Sequence, residues 1–414
     1  MNMKLANVNW YPALFALALG ILMVSCSQSP RSDPKWIFQV HGQFHPEMTT
    51  VVADDEKYYI VMDVGSILAL HRDDGALEWY ADIVSENIAN GDAPANLWVS
   101  DLWLAGDLLH VVYNHTMVSV IDTKSGHVVD HWRLPQNLER PVPPHLASQN
   151  TVVLGSRRGS VSAVSLPTGD LKWETAWIAS DKKTWALPVS SGDKGVLCVG
   201  DPVVISSHND IGLVRNTPIK YLSLDTGEEV WQTTGGILAE VLTEEFPGGG
   251  YLGDIQATEA FDKLYIMIGN TLSAVSQDSG SLVWQQLLPG RLEVLIALDS
   301  QNLVAVNSVT SSVVSLLILD SQSGQVISTY ELGEGMSFLA FSDLEVGIVY
   351  ILARRMDTQG KIPQIVTDVY KLDIENDNVI LTRTVNDNVL HFDVELESIL
   401  TTTVEGNETV FRLQ

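Results

Sequence analysis

The chain has 414 residues, of which 45% are hydrophobic, and this excludes a disordered protein while leaving room for two or three ordinary domains or one large repeat array. It carries 24 basic and 51 acidic residues, a net charge of −27, and such a field disfavours phosphate backbones and anionic lipid surfaces, so no nucleic-acid partner is expected. Two cysteines, Cys26 and Cys198, cannot build a disulfide framework.

In chain order, the first feature is an N-terminal segment with Lys4 and then an uncharged run from Trp10 to Val24. The run is short for a membrane-spanning helix and suits the apolar region of an export signal. "MVSC" at 23–26 resembles the lipobox of bacterial lipoproteins, which implies a signal peptide at 1–25 and lipidation of Cys26. An uncleaved anchor or an ordinary secretory signal is the alternative. Either way the bulk of the chain is expected outside the cytoplasm. Ser27 in place of aspartate implies, within that family, sorting to the periplasmic face of an outer membrane where one exists. Residues 26–35 then form a short polar tether reaching about 30 Å when extended.

From residue 36 the chain is organised by a repeat. "LALHRDDGALEWY", "SAVSLPTGDLKWE", "LSLDTGEEVWQ" and "LSAVSQDSGSLVWQ" share an apolar strand, a polar turn, a glycine and a tryptophan four residues later. The turn glycines are Gly75, Gly126, Gly169, Gly227, Gly280 and Gly324, spaced by 51, 43, 58, 53 and 44 residues. The tryptophans are Trp79, Trp173, Trp231 and Trp284. In the second copy the residue slips to Trp132, and in the sixth Ser328 holds the place with Tyr330 nearby. A seventh copy, "VYKLDIENDNVILTR", replaces the glycine with Asn376 or Asp377. Alternating apolar stretches at 49–82 make four strands per unit, the sequence form of a propeller blade. Glycine at positive φ permits the tight turn, and the indole supplies a flat surface for the neighbouring blade.

The terminal strands count the blades. "ETVFRLQ" at the C-terminal end is an eighth third strand that stops before its turn, and "KWIFQV" at 35–40 is a strand with a tryptophan and no preceding three. Together they complete one blade, with Trp36 in its fourth strand. The expected architecture is an all-β, eight-bladed propeller of four-stranded antiparallel blades over 36–414, its ring closed by the N-terminal strand.

The repeat resembles the tryptophan-docking motif of the pyrroloquinoline-quinone-like propellers. That superfamily has two relevant branches. Quinoprotein dehydrogenases carry an adjacent cysteine pair, calcium ligands and a catalytic aspartate, and no cysteine pair exists here. The other branch contains the non-enzymatic lipoprotein of the outer-membrane barrel-assembly machinery, similar in size, lipobox, tether and ring closure. The resemblance implies a monomeric envelope scaffold without catalytic residues, cofactor or metal, bound to the membrane through its lipid and to an envelope protein. The alternatives are an extracellular ligand- or glycan-binding propeller and, behind it, a quinone-dependent dehydrogenase.

Other constellations carry little chemistry. The acid-rich "DIENDN" at 373–378 lacks a calcium-loop pattern and reads as a solvated turn. His127 and His131 stand too far apart on a strand to share a metal, and His41 with His45 lacks a third ligand. Cys198 sits in an apolar run and reads as a small core residue. Binding functions reside on loops. The longest insertion, 233–256, places Ile237, Leu238, Val241, Leu242 and Phe246 at helical spacing as a candidate partner contact. A second insertion runs over 84–99, and a third, 177–188, carries Trp177 and Trp185.

Overall fold

The computed structural model describes residues 34–41, 50–62, 65–83, 99–113, 117–134, 145–148, 150–155, 159–176, 186–191, 194–200, 203–207, 210–215, 219–233, 255–310, 313–333, 337–343, 348–357, 364–373, 378–393, 397–405 and 408–414. Every regular element among them is a strand. The first, β1 (Trp36–His41), is set apart from the blade that follows it in sequence. Blade 1 is β2 (Thr50–Ala53), β3 (Lys57–Val61), β4 (Ser66–His71) and β5 (Leu77–Asp82). Blade 2 is β6 (Val99–Ala105), β7 (Leu108–Tyr113), β8 (Met117–Asp122) and β9 (Val128–Arg133). Blade 3 is β10 (His145–Ser148), β11 (Thr151–Gly155), β12 (Ser160–Ser165) and β13 (Leu171–Ala176).

Blade 4 is built from β14 (Ala186–Ser191), β15 (Gly195–Gly200), β18 (Ile219–Ser223) and β19 (Glu229–Thr233). Between its second and third strands a separate hairpin intervenes, β16 (Val203–Ser207) with β17 (Asp210–Arg215). Blade 5 is β20 (Ile255–Ala260), β21 (Lys263–Ile268), β22 (Thr271–Ser276) and β23 (Leu282–Leu287). Blade 6 is β24 (Arg291–Ala297), β25 (Asn302–Thr310), β26 (Val313–Asp320) and β27 (Val326–Gly333). Blade 7 is β28 (Ser337–Asp343), β29 (Ile348–Asp357), β30 (Gln364–Asp373) and β31 (Asn378–Val385). In blade 8, β32 (Asn388–Asp393), β33 (Ser398–Glu405) and β34 (Glu408–Leu413) are joined by β1 as the fourth strand.

The eight-bladed ring and its closure therefore follow the expectation from sequence. β1 runs antiparallel to β34 in the register Trp36↔Leu413 to His41↔Glu408, and Lys35 N–H adds a bond of 2.7 Å to Leu413 O. The hairpin β16–β17 was not expected. It accounts for the 58-residue spacing between Gly169 and Gly227, the longest of the set.

The core lies between blades rather than at a single centre. One cluster joins Tyr59, Val61, Ile67, Ala69 and Trp79 of blade 1 to Leu102, Leu109, Val111 and Ile121 of blade 2. Another joins Tyr265, Met267 and Trp284 of blade 5 to Leu292, Leu303, Leu317 and Leu319 of blade 6. Middle strands bury both faces, as β3 does throughout, whereas fourth strands expose alternate residues. Strand direction alternates within each blade, so the propeller has two unlike ends. The first-to-second and third-to-fourth connections lie on one end and, among the described residues, are tight turns such as 72–76 and 123–127. Second-to-third and fourth-to-first connections lie on the other.

Candidate functional site: blade seams and the insertion face

Each seam is built from a turn on one blade and an outer strand on the previous one. In the blade 2 turn, Asp122 Oδ1 accepts the N–H groups of Lys124 (3.1 Å) and Ser125 (2.7 Å) and the Ser125 hydroxyl (2.7 Å). These bonds hold its carboxyl below the usual range. Asp320 does the same for Gln322 and Ser323 in blade 6. The carboxylate fixes the turn, and the glycine that follows leaves it at positive φ, +70° at Gly126.

Onto each such glycine the previous blade lays an indole. Trp36 covers Gly75, Trp79 covers Gly126, Trp132 covers Gly169, Trp173 covers Gly227, Trp231 covers Gly280 and Trp284 covers Gly324. All the structural repeat residues singled out from sequence are thus brought together in pairs, each tryptophan with the glycine of the next blade. Five of the six indoles also donate Nε1–H to the carbonyl three residues before the glycine. The acceptors are Arg72 O (2.8 Å) for Trp36, Thr123 O (2.8 Å) for Trp79, Leu224 O (2.8 Å) for Trp173, Gln277 O (2.5 Å) for Trp231 and Ser321 O (2.9 Å) for Trp284. A buried carbonyl and a buried indole N–H are satisfied together, and a large apolar face is removed from water at the same contact.

Polar groups reinforce some seams. At the blade 4–5 boundary Tyr221 stacks on Trp231 with ring centroids 5.5 Å apart, and its hydroxyl accepts from Gln277 Nε2 at 2.9 Å. Burial pushes the Tyr221 hydroxyl up to about 12. At the last two seams the tryptophan is absent. Tyr370 OH donates to Leu332 O between blades 7 and 6. Between blades 7 and 8, Arg383 reaches Gln414 O at 3.2 Å and Glu397 O at 3.1 Å. Glu397 also takes Lys371 Nζ at 2.7 Å and Tyr350 OH at 2.5 Å, which hold its carboxyl low.

The remaining sequence candidates divide plainly. Cys26, Trp177, Trp185, Ile237, Leu238, Val241, Leu242 and Phe246 all lie outside the described residues, as does His45. The described residues on either side of their segments, Ala176 with Ala186 and Thr233 with Ile255, end fourth strands and begin first strands, so these chain ends stand on the end opposite the tight turns. The β16–β17 hairpin, which joins a second strand to a third, belongs to the same end. That end, here called the insertion face, carries the additions to the basic blade.

Cys198 lies in β15, fully buried beside Val153, Trp173 and Leu222, and desolvation raises its thiol well above the ordinary range. Reaction of Cys198 with a soluble thiol reagent, read by peptide mass spectrometry, should therefore be undetectable in the native protein over hours and complete in denaturant; labelling of Cys198 at native pH 8 within minutes would contradict this burial. His131 is engaged by Ser119 at 2.9 Å, and no group of three metal-ligating side chains occurs among the described residues.

Residues 31–217 match the profile of a family described as outer membrane protein assembly factor BamB. Among solved structures, BamB from Moraxella catarrhalis is similar at 16% identity, with 74% of this chain and 80% of that chain covered and a TM-score of 0.46. The C-terminal WD40 domain of Sif2 aligns at 9% identity over 91% of this chain and 98% of that chain, with a TM-score of 0.56; at such identity the likeness is one of fold alone. No curated protein matches the chain.

Proposed function

We propose that this chain, a pyrroloquinoline-quinone-like repeat propeller similar to BamB, is a non-catalytic scaffold of the cell envelope, lipid-anchored through Cys26 and engaged with a protein partner in outer-membrane protein assembly. The observation that supports this reading best is the division of the two ends. β1 begins at Trp36 beside the end of β34, on the end formed by tight turns, so the tether leaves from there. Residues 26–35 reach about 30 Å at most, which keeps that end toward the membrane. The insertion face is turned away from the lipid, where a partner domain has room to dock. The 233–256 segment, whose flanking strand ends Thr233 and Ile255 stand on that end, is the proposed contact through Ile237, Leu238, Val241, Leu242 and Phe246, with Trp177 and Trp185 as second candidates.

The test is an affinity pull-down of tagged, lipidated protein from crosslinked native membranes, comparing the full chain with a variant lacking 237–246. An outer-membrane barrel component should be recovered with the full chain and fall at least about tenfold with the variant, the size of effect expected when a cluster of central contacts is removed. Recovery of no barrel component from the full chain would overturn the assembly role and favour a ligand-binding propeller. Equal recovery with both proteins would move the contact elsewhere.

A further inference from the structure

The seam between blades 2 and 3 departs from the other tryptophan seams along one row of residues. In blade 1, Tyr59, Ala69 and Trp79 stand side by side across β3, β4 and β5; in blade 5 the row is Tyr265, Ala274 and Trp284. The tyrosine and tryptophan rings of each row lie 5.9 and 6.1 Å apart. The matching row in blade 2 is His110, Val120 and Asp130, and the tryptophan stands two residues farther on, at Trp132. The displaced indole still covers Gly169, but its Nε1 has no hydrogen-bond partner. Leu166 O, the carbonyl three residues before that glycine, instead receives Nε2–H of His110 at 3.0 Å. His110 is fully buried, and its Nδ1 has no partner. A histidine has replaced the indole as the donor that fastens this seam.

We propose that the joint between blades 2 and 3 is acid-sensitive, held by neutral His110 and loosened when that imidazole takes up a second proton. Protonation puts a charge into an apolar contact. Blade 3 presents Val152, Leu154, Val164 and Leu166, and blade 2 adds Trp103, Val112 and Val118. On blade 3, β11 and β12 carry no charged residue and Asp170 beside the turn is exposed; the charged groups on the same face of blade 2 also offer little compensation. Asp101 on β6 is itself half-buried, and its desolvation raises its carboxyl and favours the neutral form. Asp122 is committed to its turn, and Asp130 on β9 is exposed and accepts His131 N–H at 2.7 Å. The carbonyls of Leu166, Leu108 and Trp103 near the ring favour the proton, but burial outweighs them and lowers the His110 pKa. The opened seam returns the imidazole to its ordinary pKa near 6.5, so it binds more protons than the closed seam below that pH. Opening is therefore promoted as pH falls through about 6.5 and is unaffected well above it.

Hydrogen exchange of the full chain at pH 7.5 and 5.5, corrected for intrinsic rates, tests this. Amides of β7, β11 and the 166–170 turn should show an opening equilibrium about tenfold larger at the lower pH, the factor set by one proton gained near pH 6.5. Amides of β18, β22 and the 277–281 turn, at the seam fastened by Trp231, should change less than about twofold. The variant His110→Gln keeps a donor for Leu166 O and cannot titrate, and it should abolish the tenfold rise. An equal response at both seams of the wild-type chain, or a rise that persists in His110→Gln, would overturn the proposal. If the variant does not fold, the comparison of the two wild-type seams decides alone.

Discussion

Replacing Trp36 with alanine should destabilise the protein by about 3–5 kcal/mol, the range for removing a large buried aromatic, and should do so by opening the ring. The side chain is 6% exposed, its Nε1 donates 2.8 Å to Arg72 O, and its ring packs 6.2 Å from Tyr58 over Gly75. Its strand is also the only one of blade 8 that does not follow its sheet neighbour closely in sequence, so the seam holds the closing strand as well as two blades. Denaturant unfolding followed by tryptophan-independent circular dichroism gives the loss. Trp36→Phe keeps most of the apolar contact and removes the donor, leaving Arg72 O without the indole; about 1–3 kcal/mol is expected. A loss below about 1 kcal/mol for the alanine variant would mean that the six-residue ladder to β34 closes the ring unaided.

Gly126→Val is the second large effect. The backbone is at φ +70°, and a Cβ there would stand 2.6 Å from Cδ2 of Trp79. A β-branched residue combines left-handed strain with eviction of the indole from Thr123 O, and a cost of at least about 3 kcal/mol is expected. Gly106 separates the two causes. It also has positive φ, +58°, but a Cβ built there meets nothing within 4 Å. Gly106→Ala should cost only about 1–2 kcal/mol, the strain alone. Equal losses at the two sites, read from unfolding midpoints, would show that docking of the indole contributes nothing at this seam.

Much of the ring was legible because its signal is local. A turn of Asp or Ser with glycine, followed by tryptophan at fixed distance, identifies blades one at a time, and leftover strands at the two ends identify the closure. The sequence even showed that the second and sixth copies lack tryptophan in its place. It did not show what takes over. "LLHVVY" reads as an ordinary apolar strand, and the carbonyl that His110 serves belongs to Leu166, 56 residues away in another blade. Periodicity assigns a residue to a face; it does not identify the atom that face meets. The β16–β17 hairpin had a readable cue, two apolar runs around His208 and Asn209 within the widest glycine spacing. That cue was hidden because the blade rhythm resumes on both sides. The proposed partner segments are a different case, since loops outside the repeat carry no periodic signal from which a contact could be deduced.

The pairing of β1 with β34 also sets the order in which the molecule can be made. Neighbouring strands elsewhere are joined by a turn, a loop or, in blade 4, the β16–β17 hairpin, whereas Trp36 and Leu413 are separated by almost the whole chain. Bringing such distant segments together costs roughly 3–4 kcal/mol more in loop entropy than closing a short hairpin if the intervening chain is unfolded, and far less once blades 1 to 7 already form an arc. The closing strand is therefore synthesised first and used last. Until β34 arrives, an uncharged edge from Trp36 to Val40 waits unpaired, and the chain in that state is at its most vulnerable to pairing with the wrong neighbour.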